Sequence, residues 1–176
     1  MSLRSLFAPR PAVLSGRRLY AAAVAQSRQA ELYESLGAPD TYEGRFEIYT
    51  LHVVLLLHRL KGQGARAAET GQSLFDAYIR GLDDALREMG VGDLSVGKKM
   101  RKLGEAFYGR VRSYDGALEA LPDAEALTAV IGRTATVEGA DPQPLVHYAV
   151  RASAALAGQS LQSILDGDVT WPPITP

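Results

Sequence analysis

The segment from Thr41 to Leu60 is apolar on nearly every face of a helix, and it constrains the fold more than any other feature. Its most apolar part, IYTLHVVLLL at 48–57, is interrupted only by Thr50 and His52. A membrane-spanning helix needs about 20 apolar residues, more than this run offers. A helix that is apolar all round belongs at the centre of a bundle, wrapped by amphipathic neighbours. We therefore predict a buried central helix, with His52 as a hydrogen-bonded core residue.

The rest of the chain also favours helix. Alanine and leucine total 49 residues against 17 for valine and isoleucine, a bias typical of helical proteins. Apolar residues recur at steps of three and four, and no segment alternates convincingly as a strand. The sequence predicts an all-α, single-domain bundle of five to six helices around the central apolar helix. The expected helices cover about 14–36, 40–60, 67–89, 93–118, 122–132 and 141–165.

Three regions follow from this pattern: a basic N-terminal arm (1–13), a helical domain (14–166) and a proline-rich C-terminal tail (167–176). The formal net charge of −1 argues against a dedicated nucleic-acid binder, yet residues 1–30 carry five arginines and no acid. Such a start is also typical of a mitochondrial transit peptide. Because the basic stretch leads directly into a helical pattern, we favour a bacterial cytoplasmic protein, peripheral to the inner membrane, with the mitochondrial matrix as the alternative.

Catalytic and metal-binding chemistry has little support in the sequence. The chain lacks cysteine, and its three histidines have no metal-ligand spacing. Gly92 to Lys98 fits G-x-x-x-x-G-K, but Lys99 replaces the hydroxyl that would hold magnesium, and a helix rather than a strand precedes the motif. We expect a helix–helix corner there, with Asp93 or Ser95 as the cap of the next helix. The predicted protein is not an enzyme, takes no cofactor or metal and has no small-molecule substrate.

The same corner can also be interpreted as a helix-turn-helix. Its second helix is basic, but the helix before it carries four acidic residues (76, 83, 84 and 88) that would repel phosphates. No DNA partner is expected.

The fourth predicted helix concentrates aromatic and cationic side chains at Phe107, Tyr108, Arg110, Arg112 and Tyr114. Aromatic and arginine residues are common anchors of protein interfaces. In the alternative interpretation, the aromatic residues at 107 and 114 belong to the core and the cations form a solvated face. The residues alone give the two interpretations equal weight.

Six short blocks occur in order along the chain: GAPDTYEGRFE at 37–47, LH at 51–52, RL at 59–60, LD at 82–83, REMGVGDLSVGK at 87–98 and FYGR at 107–110. This ordered set resembles the ubiquinol–cytochrome c chaperone family, the assembly factors of respiratory complex III. The resemblance covers about residues 19–121. An ordered set of blocks is far more specific than any single motif.

The resemblance implies an all-α fold and a chaperone role without catalysis. Mitochondrial members act with a small partner protein near the ribosomal tunnel exit, where they receive and hold newly made cytochrome b. Bacterial relatives retain only the chaperone domain, and this chain resembles those. We therefore expect a complex III assembly chaperone whose client is cytochrome b, with the ribosome and the membrane periphery as further contacts. The alternative is a general helical protein-interaction or membrane-peripheral module without a chaperone role.

A partner-binding face is expected on the second to fourth predicted helices. Arg45 has an alternative role as a buried ion-pair partner of Asp83 or Glu88. Asp93 is expected to act first as a helix cap. The candidate residues are Asp40, Thr41, Arg45, Glu47, Glu88, Asp93, Lys98, Lys99, Lys102, Tyr108 and Arg110.

Overall fold

The computed structural model describes residues 10–175, apart from the side chains of Asp93 and Leu94. Within this range the chain forms eight α-helices and no strand, which confirms the predicted all-α fold. The helices are α1 (Pro11–Ser27), α2 (Glu31–Glu34), α3 (Tyr42–Leu60), α4 (Ala65–Glu88), α5 (Asp93–Glu119), α6 (Glu125–Thr134), α7 (Gln143–Gly158) and α8 (Leu161–Asp166).

The first predicted helix is in fact two helices. α1 begins at Pro11, earlier than expected, and ends at Ser27, and α2 follows after a short turn. The Tyr33 hydroxyl donates to the Ser27 carbonyl at 2.6 Å, so a side chain of α2 satisfies a carbonyl at the end of α1. No glycine or proline marks this break, which is why apolar spacing predicts one helix. Residues 1–9 of the predicted arm lie outside the described residues.

The last predicted helix also divides into two. α7 ends at Gly158, and Ser160 caps α8 by accepting from the Ser163 N–H at 3.0 Å. Between them, the Gln159 side chain bonds both the N–H and the carbonyl of Thr170, at 2.8 and 2.9 Å. This contact holds the C-terminal tail against the bundle.

The structure resolves which residues cap α3 and α5. Thr41 is the N-cap of α3 and accepts from the Gly44 N–H at 3.1 Å. In α5 the N-cap is Gly92, and Asp93 is already the first helical residue, so the prediction that Asp93 or Ser95 is the N-cap is wrong. The left-handed glycine at position 90 ends the preceding helix, and the chain re-enters a helix after only two more residues.

α3 lies at the centre of the bundle, as predicted. It packs against α1, α4, α5 and α7, and every residue from Thr50 to Leu56 is buried. Around it, α1 and α4 approach closely at Gly16, where a Cβ would lie 2.6 Å from the Ser73 Cβ. Because burial of apolar surface stabilises a fold by about 25 cal/mol per Å², enclosure of α3 contributes strongly to stability.

His52 is fully buried in α3 and hydrogen-bonded on both ring nitrogens, as expected from the sequence. Nδ1 lies 2.8 Å from the Ile48 carbonyl, which can only accept, so Nδ1 carries the proton. Nε2 then accepts from the Tyr148 hydroxyl at 2.8 Å, and that hydroxyl accepts from the Gln26 amide at 2.9 Å. The Trp171 ring closes the site edge-on at 5.0 Å. Burial lowers the pKa of His52 to about 4.

The stability of the fold should therefore fall on acidification. Between pH 6.5 and 4 the unfolded chain binds a proton at His52 that the folded chain does not, so the full stabilisation exists above pH 6.5 and is lost towards pH 4. The complete effect is about 3 kcal/mol. Denaturant titrations across this range give the free energy of unfolding at each pH. This free energy should depend less on pH in His52→Gln than in the wild type. His147 is exposed, and His147→Gln should keep the wild-type dependence. Equal slopes for all three proteins would contradict this assignment.

Gly44 fixes the turn that leads into α3. A Cβ at this position would lie 2.0 Å from the Pro39 carbonyl oxygen, a backbone atom that cannot swing away. The turn from Gly37 to Thr41 therefore packs directly on the first turn of α3. This close approach explains why the GAPDTYEGRFE block needs a glycine there.

Gly44→Ala should lower the free energy of unfolding by about 1–3 kcal/mol, because the turn must move away from α3. Gly104 offers the matched control. It lies inside α5, where an added Cβ would meet nothing within 4 Å, so Gly104→Ala should raise stability by about 0.5–1 kcal/mol. Chemical denaturation measures both changes, and a stabilising Gly44→Ala would refute the packing argument.

Candidate functional site

One groove, of about 780 Å³, opens where α1 and α4 end and α3 begins. We call it the tyrosine groove, because four of the chain's eight tyrosines line it. The wall from α1, α2 and α3 is mainly aromatic, and the facing wall from α4 and α5 is mainly aliphatic. The aromatic wall comprises Tyr20, Tyr33, Tyr42, Phe46 and Tyr49; the facing wall comprises Leu82, Ala85, Leu86, Met89 and Leu103.

The aromatic wall is continuous with the core. The Tyr20 and Tyr49 rings meet edge-on at 5.9 Å, and the Tyr49 ring lies 4.8 Å from that of the buried Tyr78. The Tyr78 hydroxyl in turn bonds Thr50 at 2.9 Å. These contacts hold the rings in fixed positions, so the wall is preformed.

The Tyr49 hydroxyl is an unusual feature of this wall. It is buried from water, and it meets no described group in hydrogen-bonding geometry. Burial, and then the neighbouring Tyr20 hydroxyl, raises the pKa of Tyr49 well above its ordinary value, so the phenol stays protonated. Because water does not reach it, this hydroxyl belongs to the interior of the wall, next to Tyr20.

A buried ion pair supports the groove from behind. Arg110 of α5 donates from Nε and Nη2 to the two carboxylate oxygens of Glu47 at 2.7 and 2.6 Å. Glu47 is only 8% exposed, and its hydrogen bonds raise the pKa of Arg110. This two-point contact ties α3 to α5, because the planar guanidinium matches the carboxylate.

Arg45 does not form the buried ion pair that the sequence suggested as an alternative. It is half exposed, bonds Asp40 at 2.6 Å and lies 5.0 Å from the centre of the Tyr33 ring. Asp83 instead pairs with Arg87, one turn further along α4, at 2.7 Å. The interpretation of Arg45 as a buried partner of Asp83 or Glu88 is therefore wrong. Asp40, five residues before Arg45 in the chain, pairs with it at the surface. The pair therefore avoids the cost of removing two charges from water.

The structure brings part of the predicted face together. Arg45, Glu47, Glu88 and Lys99 all line the tyrosine groove. Asp40 and Thr41 stand in the turn before α3, and Arg110 supports the groove through Glu47. Lys98 and Lys102 are exposed on α5 but do not line the groove, and Asp93 is the first residue of that helix.

Tyr108 lies at a second groove, of about 710 Å³, between α4 and α5 near the end of α3. It is 58% exposed and lies 5.7 Å from the Phe75 ring. Phe107 and Tyr114 are buried in the core, and the three lysines of this helix are exposed. The sequence interpretation of these two aromatics as core is thus confirmed, while Tyr108 is an exposed aromatic side chain.

Sequence patterns did not predict most of the aromatic wall. Tyr20, Tyr33 and Tyr49 were not among the candidate residues, because no local spacing places them on one surface. A usable signal existed in their distribution, since four tyrosines fall between positions 20 and 49. Tyrosine is a favoured residue of binding surfaces, where a large ring contacts a partner and the hydroxyl bonds to it.

Two further properties bear on the chemistry of the described part of the chain. Among the side chains that the structure describes, His, Asp and Glu nowhere gather in threes in a way that could hold a metal ion. No helix there combines the length and the apolar character that crossing a membrane requires.

The comparison with protein families identifies the chain. The model of the ubiquinol–cytochrome c chaperone family matches residues 34–171. The chain belongs to this family. The match extends past the blocks noted at 37–110 through α7 to Trp171, which agrees with the packing of α7 on α3 and of Trp171 on His52.

Its relatives include animal and bacterial proteins. The ubiquinol-cytochrome-c reductase complex assembly factor 1 of Xenopus laevis is 25% identical over 92% of this chain and 82% of that protein. The human and mouse assembly factors 1 are each 26% identical over 92% of this chain, which spans 55% and 56% of their lengths. The crystal structure of the Cbp3 homolog from Brucella abortus superposes with a TM-score of 0.80 at 34% identity, over 91% of this chain and 90% of that one.

The ion pairs Arg110–Glu47 and Arg45–Asp40 allow a test of how much the buried pair behind the groove stabilises the fold. Arg110→Ala should lower the free energy of unfolding by about 2–3 kcal/mol, because it leaves the Glu47 carboxylate buried without its partner. Arg45→Ala removes a pair of the same 2.6 Å length between exposed side chains and should cost less than about 1 kcal/mol. Urea unfolding curves of the two variants check this, and equal costs would show that burial of Glu47 does not matter.

Proposed function

We propose that this chain is an assembly chaperone of ubiquinol–cytochrome c reductase, respiratory complex III, and that it holds newly made cytochrome b. The observation that carries the proposal is the family match over residues 34–171, which spans α3 to α8 and the tail. Relatives similar over nine-tenths of this chain are named as assembly factors of that complex. A role in assembly is thus supported by the whole bundle rather than by one motif.

The geometry supports holding a polypeptide. The tyrosine groove offers aromatic and aliphatic walls, and acidic and basic side chains also line it. Large exposed apolar side chains at such a surface are typical of protein-binding sites. A protein that holds an apolar subunit until its partners arrive needs such a surface and needs no catalytic group.

The further contacts that we propose involve the basic face of α5. Lys98, Lys99 and Lys102 are all exposed, close to the start of a 27-residue helix. A local cationic patch of this kind attracts polyanions such as ribosomal RNA or anionic lipid headgroups at modest strength. We propose that these contacts act at the bacterial inner membrane, where cytochrome b is inserted.

Deletion of the gene should reduce cytochrome b absorbance and quinol–cytochrome c reductase activity in membranes, because unprotected cytochrome b is not assembled. Reintroduction of the full chain should restore both. Succinate dehydrogenase activity in the same membranes serves as the control and should not change.

Normal cytochrome b absorbance and normal reductase activity in the deletion strain would refute the proposal. That outcome would favour a general helical interaction or membrane-peripheral module, the alternative that the sequence leaves open.

A further inference from the structure

Two large apolar side chains stand exposed at the tyrosine groove. Tyr42, at the start of α3, is 76% exposed, and Met89, just after α4, is 48% exposed. Both line the groove, and between them the walls are apolar. Exposed apolar groups that line one groove indicate a binding surface better than scattered single residues do.

The charges at the groove specify what kind of partner fits. Among the charged residues that line the groove, Glu47 and Arg45 are already paired within the chain, with Arg110 and Asp40. The charges of the other four balance, so the groove does not select for a partner of high net charge. The six charged lining residues are Arg28, Arg45, Lys99, Glu43, Glu47 and Glu88.

The volume of the groove sets the length of the partner that it holds. A helix about 10 Å across that fills about 780 Å³ is about 10 Å long, close to two turns. Apolar residues at positions i, i+3, i+4 and i+7 of such a segment would contact both walls. The groove therefore fits the apolar side of a short helical segment.

We propose that the tyrosine groove binds about two turns of an apolar, uncharged helical segment of the client, with Tyr42 and Met89 contacting it. This inference rests on the proposed function and adds to it the site and the chemistry of the bound segment. Apolar segments of this kind occur in any membrane-spanning subunit before insertion.

Capture of cytochrome b from cells tests the site. Tagged full-length chain is expressed in the deletion strain, and the cytochrome b that copurifies is quantified by mass spectrometry per molecule of bait. Tyr42→Ser combined with Met89→Ser should reduce capture about tenfold. The matched control is Leu14→Ser combined with Val137→Ser, which removes two comparably exposed apolar side chains elsewhere and should leave capture within about twofold.

The outcomes separate this inference from the proposed function. If the wild-type chain captures no cytochrome b, the proposed function fails and this inference fails with it. If the wild type captures cytochrome b and the groove variant captures as much, or if the control variant loses as much, only the groove assignment is overturned. Thermal melts of both double variants should match the wild type, because all four positions are exposed.

A photo-crosslinking amino acid in place of Tyr42 identifies the bound segment directly. Crosslinks confined to one apolar window of cytochrome b support the proposal. Crosslinks to lipid, to residues 1–9 of the same chain or to a polar loop of cytochrome b overturn it.

Discussion

Enclosure of α3 is the constraint on which the rest of this structure depends. A helix with apolar residues on nearly every face is stable in water only when other helices cover all of them, and α1, α4, α5 and α7 do so. Its polar residues are accommodated individually, Thr50 by Tyr78 and His52 by Tyr148 and the Ile48 carbonyl. The C-terminal tail belongs to the same enclosure, because Trp171 packs on His52.

The tyrosine groove depends on how the first turns of α3 are held in the bundle. The Thr41 cap and the close approach of Gly44 to Pro39 fix the first turn of the helix. Glu47, one turn further, is held by Arg110 of α5, so the start of α3 and the middle of α5 cannot separate without leaving a buried charge unpaired. The tyrosine groove thus has rigid walls on the side of α3, and the helix ends around it leave its rim open to a partner.

Membership of the ubiquinol–cytochrome c chaperone family agrees with this architecture. The family match begins in α2 and ends in the tail, so it covers α3 and most of the helices that enclose α3. α1 lies before the match but is integral to the bundle, since Ser15 bonds the Leu165 carbonyl at 2.6 Å and Gly16 packs against α4. The similarity to the bacterial structure covers 91% of this chain.

The sequence by itself determined the fold class, the family, the central helix and the burial of His52, because helical periodicity, capping residues and ordered blocks are local properties of a chain. It missed the helix breaks after Ser27 and Gly158, because side chains from outside those helices stabilise them. It also placed the N-cap of α5 at Asp93 or Ser95, whereas the N-cap is Gly92. Only the tertiary structure decided which charges pair and which rings share a surface. Arg110 and Glu47 are 63 residues apart, and Tyr20 and Met89 meet one groove from different helices. Such pairings depend on how whole helices cross, and no local spacing carries that information.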